Sequence, residues 1–440
     1  GWHESCNATI VPKLIDDINK LISSPDFQAR NKNSSTDFTR NRSLDFETTI
    51  SFFLNLNKGS YETELKQFFK TKNNQDVSMP EVTKSAVSKA RKKLNPAAFI
   101  ELNDELINGY EKYSDLQTWN GFRLLAVDGS TATVPDEIEV KEHFGAWNVK
   151  DGQPCPKARV SQLFDVQNRI TLDALIRPKS EGERDLAAQH FTKLMPSDLV
   201  LLDRGYPAAW LFMLIVSLGA QFCARVTISQ WNVIKKFYNS GKMEKIIRLP
   251  ISYVSKQKCN EIGLDISPIK VRLIRVELTS GETEILITSL LDKKIFSYDL
   301  FADLYFERWA IEEDYKIMKC RVQIENFSGK TVHSVYQDFH AKVFSKNLTM
   351  MIVTSTHPEL KKRTENRKYE YDINFTQALS GMKNHIVLLL CRPYAKICDI
   401  VTKLQALMLT CIESIRPGRT YERNFNKKNK KFHLEYRQPA

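Results

Sequence analysis

The chain has 440 residues, a length that suggests two to four structural units. Hydrophobic residues make up 42% of the chain and charged residues 26%, which is ordinary for a soluble globular protein and leaves room for a sizeable core. The net charge of +12 favours a polyanionic partner such as nucleic acid, although many soluble proteins are simply basic.

Two further features narrow the class of protein. The eight cysteines form no C-x-x-C pair and no His cluster has zinc spacing, so reduced thiols are expected rather than a disulfide framework or a structural zinc site. The longest apolar runs, Trp210–Leu218 and Ile386–Cys391, are too short to cross a bilayer, and the start of the chain lacks a secretory signal pattern. We therefore expect a cytoplasmic protein without a membrane partner.

The first region, residues 1–115, is predicted to be helical. Helical periodicity at residues 10–23 is followed by a polar stretch, Ser24 to Ser43, that is typical of a loop. Two or three helices are expected between Phe46 and Leu94, and another from Pro96 to Tyr113.

One segment of this region, MPEVTKSAVSKARKKLNP, resembles the second half of a helix-turn-helix. Val82, Ala86 and Ala90 line one face of the predicted helix. The candidate DNA-binding residues on its other faces are Lys84, Lys89, Arg91 and Lys92. The alternative is a solvated basic helix in a bundle, and the segment alone does not separate the two.

From residue 116 the pattern changes to apolar strands. FRLLAVDGS (122–130) and DLVLLDRGY (198–206) each indicate an apolar strand that ends in an aspartate, and residues 158–178 indicate two strands with a turn at Gln167–Asn168. Helices are predicted at 183–194 and 208–220, followed by a strand at 221–226. This order, three strands and then helix, strand, helix, strand, predicts a ribonuclease H-like α/β core.

The predicted core is interrupted and then resumes. Residues 116–226 form its first part, 227–299 a β-rich insertion with a hairpin about Ser280–Gly281, and 300–372 its second part, which begins with a long helix from about Phe301 to Lys319. The remainder, 373–440, is predicted to be mostly helical, with a basic tail and a capacity for dimerisation.

Two aspartates occupy positions suited to metal-dependent phosphodiester chemistry. Asp128 and Asp203 each follow an apolar strand and precede a small or turn-forming residue. Cleavage of a phosphodiester at neutral pH requires an activated oxygen nucleophile and charge compensation, which two divalent ions roughly 3.5–4 Å apart supply. Mg²⁺ prefers carboxylate oxygens. For either aspartate alone, simple termination of a buried strand is the more ordinary explanation.

The predicted helix at 305–319 adds a third carboxylate. Tyr305, Arg308, Glu312 and Lys319 have spacings of three, four and seven residues. On a continuous helix their directions would fall within about 60° over about 21 Å. Glu312 could then complete a metal site, and the other three could hold a DNA backbone. A solvated face of an amphipathic helix is the alternative.

The pattern Y-(2)-R-(3)-E-(6)-K resembles the signature of the DDE transposases of the bacterial insertion-sequence family four. AVDGS, LLDRGY and a β-rich span between the second Asp and the Glu also match that family, and the resemblance runs from about Phe122 to Leu348. The N-terminal DFTRNRSLDF is similar as well, whereas the C-terminal third matches only loosely.

The resemblance implies a function and a set of roles. Asp128, Asp203 and Glu312 would be catalytic ligands of two Mg²⁺ ions, for which Mn²⁺ could substitute. Tyr305, Arg308 and Lys319 would contact the transposon end near the scissile phosphate. A tryptophan of the insertion stacks on a flipped base in the family, and Trp231 is the candidate here, with core packing as its alternative role. The partners would be transposon-end DNA with its terminal inverted repeats, target DNA, and a second copy in a homodimer on DNA. A bacterial, nucleoid-associated location follows.

Two other functions share these features. A ribonuclease H-like nuclease would use the same carboxylates to hydrolyse nucleic acid without joining it. A non-catalytic DNA-binding protein derived from a transposase would keep the fold, although the presence of all three carboxylates argues against it.

Overall fold

The computed structural model describes residues 2–40, 42–148 and 153–415. The predicted basic tail, 416–440, lies outside the described residues. By their internal contacts the residues form two units. The central unit is Leu116–Ile317, and the helical unit consists of the residues up to Asp115 together with those from Met318 onward.

The first part of the helical unit is formed by six helices. They are α1 (Trp2–Ser23), α2 (Pro25–Arg30), α3 (Phe46–Leu54), α4 (Tyr61–Lys72), α5 (Lys84–Arg91) and α6 (Ala97–Tyr113). The three helices between Phe46 and Leu94 confirm the prediction. The predicted loop from Ser24 is wrong at its start, because the Ser24 side chain accepts the Phe27 N–H and Pro25 occupies the first turn, which together begin α2.

The central unit alternates strands and helices. Its strands are β1 (Arg123–Thr133), β2 (Ala146–Asn148), β3 (Pro154–Asp165), β4 (Ile170–Arg177), β5 (Asp198–Leu202), β6 (Gln221–Val226), β7 (Glu244–Arg248), β8 (Lys270–Glu277) and β9 (Thr283–Thr288). Its helices are α7 (Ile138–Phe144), α8 (Glu183–His190), α9 (Ala209–Ser217), α10 (Asn232–Asn239), α11 (Tyr253–Glu261), α12 (Leu300–Phe306) and α13 (Trp309–Ile317).

These strands form one mixed sheet in the order β2-β3-β1-β5-β6-β9-β8-β7, with β4 also paired to β3. The β1–β5 and β5–β6 pairs are parallel, and the outer pairs are antiparallel. All five residues of β5 are buried, as expected for a central parallel strand that is covered on both faces. The chain is therefore an α/β protein with a large mixed sheet.

The span 227–299 contributes three of these strands, β7 to β9, and the hairpin predicted at Ser280–Gly281 is confirmed as the β8–β9 turn. It also contains α10 and α11, which were not predicted. Ile234 and Phe237 turn the apolar face of α10 inward, so the period there is helical rather than alternating.

The second part of the helical unit begins with a π-helical turn, Met318–Val322. It continues with α14 (Val332–Thr364), β10 (Glu370–Ile373), α15 (Phe375–Met382), α16 (Ile386–Cys391), α17 (Tyr394–Met408) and β11 (Ile412–Ile415). Helix α14 packs against α6, α3, α15 and α17, which is why it groups with the helices. This grouping differs from the predicted second part of the core at 300–372.

Most of the predicted helical character after residue 372 is confirmed, with the two-stranded antiparallel sheet β10–β11 as an addition. Among the described residues, no helix combines the length and the apolar character that crossing a membrane requires.

Candidate active site

Asp128 and Asp203 lie on neighbouring parallel strands at the same height. The register of β1 against β5 ends with Val127 opposite Leu202, and each aspartate is the next residue along its chain. Both carboxylates are therefore at the carboxyl-terminal edge of the parallel part of the sheet, where α/β proteins commonly bind ligands. The prediction that Asp128 ends its strand is wrong in detail, because β1 continues to Thr133 through its pairing with β3.

The Asp128 carboxylate is held from its own strand and by a helix. The Gly129 N–H donates to Asp128 Oδ1 over 2.8 Å, and the Tyr315 hydroxyl of α13 donates to the Asp128 backbone oxygen over 2.8 Å. Burial raises the pKa of Asp128 to about 6, against the lowering effects of the Gly129 N–H and of the Arg308 charge. The charges of Glu312 and Asp203 raise it further, so the carboxylates repel one another.

Asp203 is held by an arginine from the next strand. Arg225 Nη2 and Nε donate to Asp203 Oδ1 over 2.9 and 3.2 Å, and Arg225 Nη1 donates to Glu284 Oε1 of β9 over 2.5 Å. Burial raises the pKa of Asp203, but the Arg204 backbone N–H and the Arg225 charge outweigh it, so the pKa lies below its ordinary value.

The helix that carries the third carboxylate is not continuous. The predicted helix from Phe301 to Lys319 is interrupted between α12 and α13, where the Arg308 N–H donates to the Tyr305 carbonyl over 3.2 Å. This bond spans three residues instead of four and tightens the turn. The predicted alignment of four side chains on one straight helix is therefore wrong, although Tyr305, Arg308 and Glu312 still reach the same end of the sheet.

Arg308 connects the carboxylates. Its side chain is 5% exposed, Nη2 donates to Glu312 Oε1 over 2.7 Å, and Nη1 lies 3.8 Å from Asp128 Oδ2. The buried Nε and Nη1 atoms have no hydrogen-bond acceptor among the described residues. Buried donors of a charged group are seldom left without acceptors, so this guanidinium is suited to a further anionic partner.

Tyr305 lies on the Asp203 side. Its hydroxyl donates to the Leu202 carbonyl over 3.3 Å and is 3.4 Å from Asp203 Oδ1. Burial raises the pKa of Tyr305 well above its ordinary value, so the phenol is neutral and serves as a donor. The structure thus brings together Asp128, Asp203, Tyr305, Arg308 and Glu312.

The donor set has the chemistry of a divalent-metal site, because carboxylate oxygens are the hard ligands that Mg²⁺ prefers. In the part of the chain that is described, however, no three carboxylate, imidazole or thiolate side chains converge as a ready metal-binding group. Arginines take that place: Arg308 pairs with Glu312, and Arg225 pairs with Asp203. The oxygens fit a metal, but Glu312 is turned toward Arg308.

A buried series of hydrogen-bonded side chains, Asp173, His190 and Ser161, supports the site near β1 and β3. His190 of α8 lies 2.7 Å from Asp173 Oδ2 and 2.9 Å from Ser161 Oγ, and Ser161 is the cross-strand partner of Gly129. Ser161 and His190 are buried, so the Ser161 hydroxyl is not accessible as the nucleophile of a Ser-His-Asp triad. This series fixes α8 to the sheet next to Asp128.

Sequence reasoning missed several residues of the site. Arg225 bonds Asp203 and is itself bonded to Glu284, Tyr315 bonds the Asp128 backbone, and Tyr206 lies within reach of the charges of both aspartates. The available signal for Arg225 and Tyr206 was the same as for the aspartates, namely a polar group within or just after an apolar strand. Tyr315 lies three residues after Glu312, but periodicity alone could not give it a partner on β1.

The other two residues predicted to contact DNA near the site are Lys319 and Trp231. Lys319 is half-buried in the π-helical turn that belongs to the helical unit. Trp231 precedes α10 and is half-buried, with its ring 6.5 Å from the Phe212 ring at 51°. Their roles on DNA stay predictions.

The four basic candidates on α5 are not equivalent. Lys84, Lys89 and Lys92 are exposed. Arg91 is 5% exposed and its guanidinium donates to Asp338 over 3.0 Å and to Gln337 over 3.0 Å. The grouping of Arg91 with the three lysines as candidate DNA contacts is therefore corrected, because its charge is used inside the helical unit.

Comparison with known proteins gives a family. A model described as a transposase DDE domain matches residues 119–348, more than half of the chain. The transposase InsG for insertion sequence element IS4, from Escherichia coli (strain K12), is 24% identical over 284 residues, which cover 63% of each protein and thus less than two thirds of that relative. A cryo-EM structure of the piggyBac transposase synaptic complex with hairpin DNA has a TM-score of 0.45 and 9% identity, covering 89% of this chain and 85% of that chain. The matches in sequence agree with the resemblance to the bacterial insertion-sequence family four, and the chain belongs to the family defined by the transposase DDE domain.

Proposed function

We propose that the chain is a DNA transposase that cleaves DNA at transposon ends and transfers the cleaved strand into target DNA. The observation that carries the proposal is the register of β1 and β5, which sets Asp128 beside Asp203, together with the Arg308 bridge to Glu312. This register and this bridge support a shared role for the three carboxylates in a chain that belongs to the transposase DDE domain family.

The finer fold assignment is part of this proposal. We assign a ribonuclease H-like core to 116–226 and 300–372, with 227–299 as a β-rich insertion. The supporting feature is the central strand pattern, in which β4, β3 and β1 are antiparallel and β1, β5 and β6 are parallel. Strands β7 to β9 are added beyond β6.

DDE transposases generally use divalent metal ions. We propose that Asp128, Asp203 and Glu312 hold two Mg²⁺ ions, with Mn²⁺ as a substitute. The ions would activate the attacking oxygen and offset charge on the phosphate. The chain's own residues orient these ligands: Gly129 and Tyr315 fix Asp128, and Arg225 fixes one oxygen of Asp203.

Arg308, Tyr305 and Lys319 are proposed to contact the DNA end near the scissile phosphate. For Arg308 the support is its two buried nitrogen atoms without acceptors, which a phosphate oxygen would satisfy. Trp231 is proposed to stack on a base displaced from the duplex.

Residues 1–115 are proposed to recognise the transposon end. Exposed Lys84, Lys89 and Lys92 follow one another on and just after α5, and exposed lysines of this kind bind phosphates and position a helix on DNA. A fragment of residues 116–440 that still selects the end over random DNA would refute the assignment.

We further propose that the active form is a homodimer on two DNA ends, located with its DNA in the bacterial cytoplasm at the nucleoid. Excision involves two ends, whereas one chain has one set of three carboxylates. Residues 373–415 are rich in apolar side chains, several of them exposed, such as Tyr394 and Leu407. Catalysis in trans is tested by mixing Glu312→Gln chains with chains defective in end binding, and cleavage by the mixture would support the homodimer. An active complex that contains a single chain would refute it.

The central test incubates the full chain with DNA carrying the terminal repeats that flank its own gene and with a target plasmid. With Mg²⁺ or Mn²⁺ we expect cleavage at the repeat end and joined products in the plasmid. With EDTA we expect neither product.

The rival functions give different products. Cleavage without joined products under any divalent ion would favour a ribonuclease H-like nuclease. Specific end binding without cleavage would favour a non-catalytic DNA-binding protein derived from a transposase.

A further inference from the structure

A group of donors without acceptors lies beside Asp128 and strand β3. Six buried side-chain atoms able to donate a hydrogen bond find no acceptor within residues 2–40, 42–148 and 153–415. Five of them belong to the central unit: Arg308 Nε and Nη1, Tyr206 Oη, Arg159 Nε and Trp147 Nε1. The Arg308 atoms belong to the site already described, whereas the other three do not.

Tyr206 is the member nearest to Asp128. Its side chain is 2% exposed, and its hydroxyl lies 3.6 Å from the point that a Cβ of Gly129 would occupy. Burial raises the pKa of Tyr206 well above its ordinary value, and the charges of Asp128, Glu183 and Asp203 act in the same direction. The phenol is therefore a neutral donor that faces a region of carboxylates without reaching one of them.

Arg159 adds a positive charge beside this hydroxyl. Its Nη1 donates to Glu183 Oε1 over 2.9 Å, and that same oxygen lies 3.7 Å from the Cβ position at Gly129. The side chain is 18% exposed, yet its Nε has no acceptor. Glu183 therefore accepts from Nη1 alone, and the Arg159 Nε–H stays available to donate to another oxyanion.

Trp147 and Lys179 complete the group. The Arg159 guanidinium carbon lies 5.6 Å from the centre of the Trp147 ring, and Lys179 Nζ lies 4.6 Å from it. These cation–π contacts hold two positive groups at one aromatic ring, next to the indole N–H that lacks an acceptor. Arg159 and Lys179 bring two positive charges to this group, against Glu183 within it and the nearby Asp128 and Asp203.

We propose that Tyr206, Arg159, Trp147 and Lys179, here called the Tyr206 cluster, form a second phosphate-binding subsite for the DNA backbone beside Asp128 and strand β3. The proposal rests on the function proposed above. Arg308 and the Tyr206 cluster would then hold different phosphates. The buried hydroxyl and the guanidinium Nε would donate to non-bridging phosphate oxygens, and Lys179 would add charge.

The test replaces single phosphates with neutral methylphosphonates, one position at a time, on both strands around the cleavage site of the terminal-repeat DNA. End binding is measured without divalent metal and cleavage with Mg²⁺. For the wild-type chain we expect one position outside the scissile phosphate at which the substitution weakens binding about tenfold or more, the loss of a charge-assisted hydrogen bond. Arg159→Gln should remove the sensitivity at that position and keep it elsewhere.

Matched variants separate binding from folding. Arg248→Gln makes the same charge change at an exposed position of β7 and should keep the complete wild-type pattern. Tyr206→Phe should weaken the sensitivity at the same position without lowering the melting temperature of the free protein, because the hydroxyl lost has no partner. Tyr298→Phe, whose hydroxyl donates to the Arg275 carbonyl, should lower the melting temperature and keep the pattern.

If Arg159→Gln and Tyr206→Phe retain the complete pattern on DNA that the wild-type chain binds and cleaves, the subsite is refuted and the transposase function stands. If the wild-type chain neither binds nor cleaves the repeat DNA, the proposed function fails and takes the subsite with it.

Discussion

Arg308 and Glu312 form an ion pair of 2.7 Å across one turn at the start of α13. A carboxylate paired with an internal arginine is not free to bind a cation, and Arg308 Nη1 also lies 3.8 Å from Asp128 Oδ2. In this arrangement the guanidinium compensates negative charge that divalent ions would otherwise compensate. Metal binding and release of Arg308 toward a phosphate are therefore expected to favour each other.

Replacement of Arg308 should consequently change the affinities for metal and for DNA in opposite directions. For Arg308→Ala we expect Mn²⁺ affinity without DNA to rise about tenfold, since a partly buried ion pair contributes on the order of 1–2 kcal/mol. Engagement of the cleaved DNA end should weaken. Calorimetric titration with Mn²⁺ and gel-shift assays measure the two effects.

Arg308→Lys is the conservative companion, because it keeps the charge but not the planar fork. It should leave Mn²⁺ affinity near that of the wild type and still weaken end binding. A fall in Mn²⁺ affinity for Arg308→Ala would show that the arginine orients the carboxylates rather than competing for them.

The catalytic assignment is checked with isosteric amides. Asp128→Asn, Asp203→Asn and Glu312→Gln should each lower the cleavage rate by roughly three orders of magnitude or more, since residues that act as one unit fail together. End binding should be retained because the DNA-reading surface is unchanged.

Glu313→Gln is the matched control for the third position. Glu313 is the neighbour of Glu312 on α13, its side chain is 65% exposed, and it pairs with Lys316 at the surface. We expect normal cleavage from this variant. Strong cleavage by any one of the three amide variants would remove that residue from the catalytic set.

The positions of the two aspartates could be predicted from the sequence, because each follows a run of apolar strand residues. Asp128 and Asp203 could be recognised from VDGS and LLDRG, and parallel strands made their proximity predictable. The break between α12 and α13 could not be predicted, because residues 300–317 contain neither proline nor glycine and the helical period continues across it. Packing of α13 on β1, together with the Tyr315 bond to Asp128, is a tertiary contact that local pattern does not contain.

The same limit explains Arg91. A run of basic residues predicts charge on a helix, but it does not show which member turns inward. Arg91 meets Asp338, which lies 247 positions later in the chain, and a pairing of that separation cannot be found from spacing.

The register that sets Asp128 beside Asp203 is secured at the other end of the same strands. Arg123 and Asp198 are cross-strand partners of β1 and β5, and Arg123 Nε and Nη2 donate to the two Asp198 oxygens over 2.7 and 2.8 Å. Asp198 is completely buried and also accepts the Met195 N–H over 2.7 Å.

Asp198→Asn should therefore destabilise the chain by about 3 kcal/mol, because it removes the buried negative charge that accepts two hydrogen bonds from Arg123. Urea unfolding followed by circular dichroism measures the change. Asp265→Asn removes the same charge from an exposed loop and should alter stability by less than about 0.5 kcal/mol. An unfolding free energy for Asp198→Asn equal to that control would show that this pair does not secure the strands.

The basic residues of α5 provide a test in which binding and stability separate. Lys84, Lys89 and Lys92 are exposed, so their replacement by glutamine should weaken end binding while leaving stability almost unchanged. If each lysine neutralises one phosphate, the slope of log affinity against log salt concentration should decrease by roughly 3, close to one unit for each contact. Lys361→Gln with Lys362→Gln, at the exposed end of α14, is the charge control.

Arg91→Gln should behave in the opposite way. It leaves Asp338, whose side chain is 6% exposed, without its cation, and should cost about 3 kcal/mol of stability. The salt slope of the folded variant should stay that of the wild type, because Arg91 does not face solvent. A reduced slope for a stably folded Arg91→Gln chain would mean that this arginine leaves Asp338 to bind DNA.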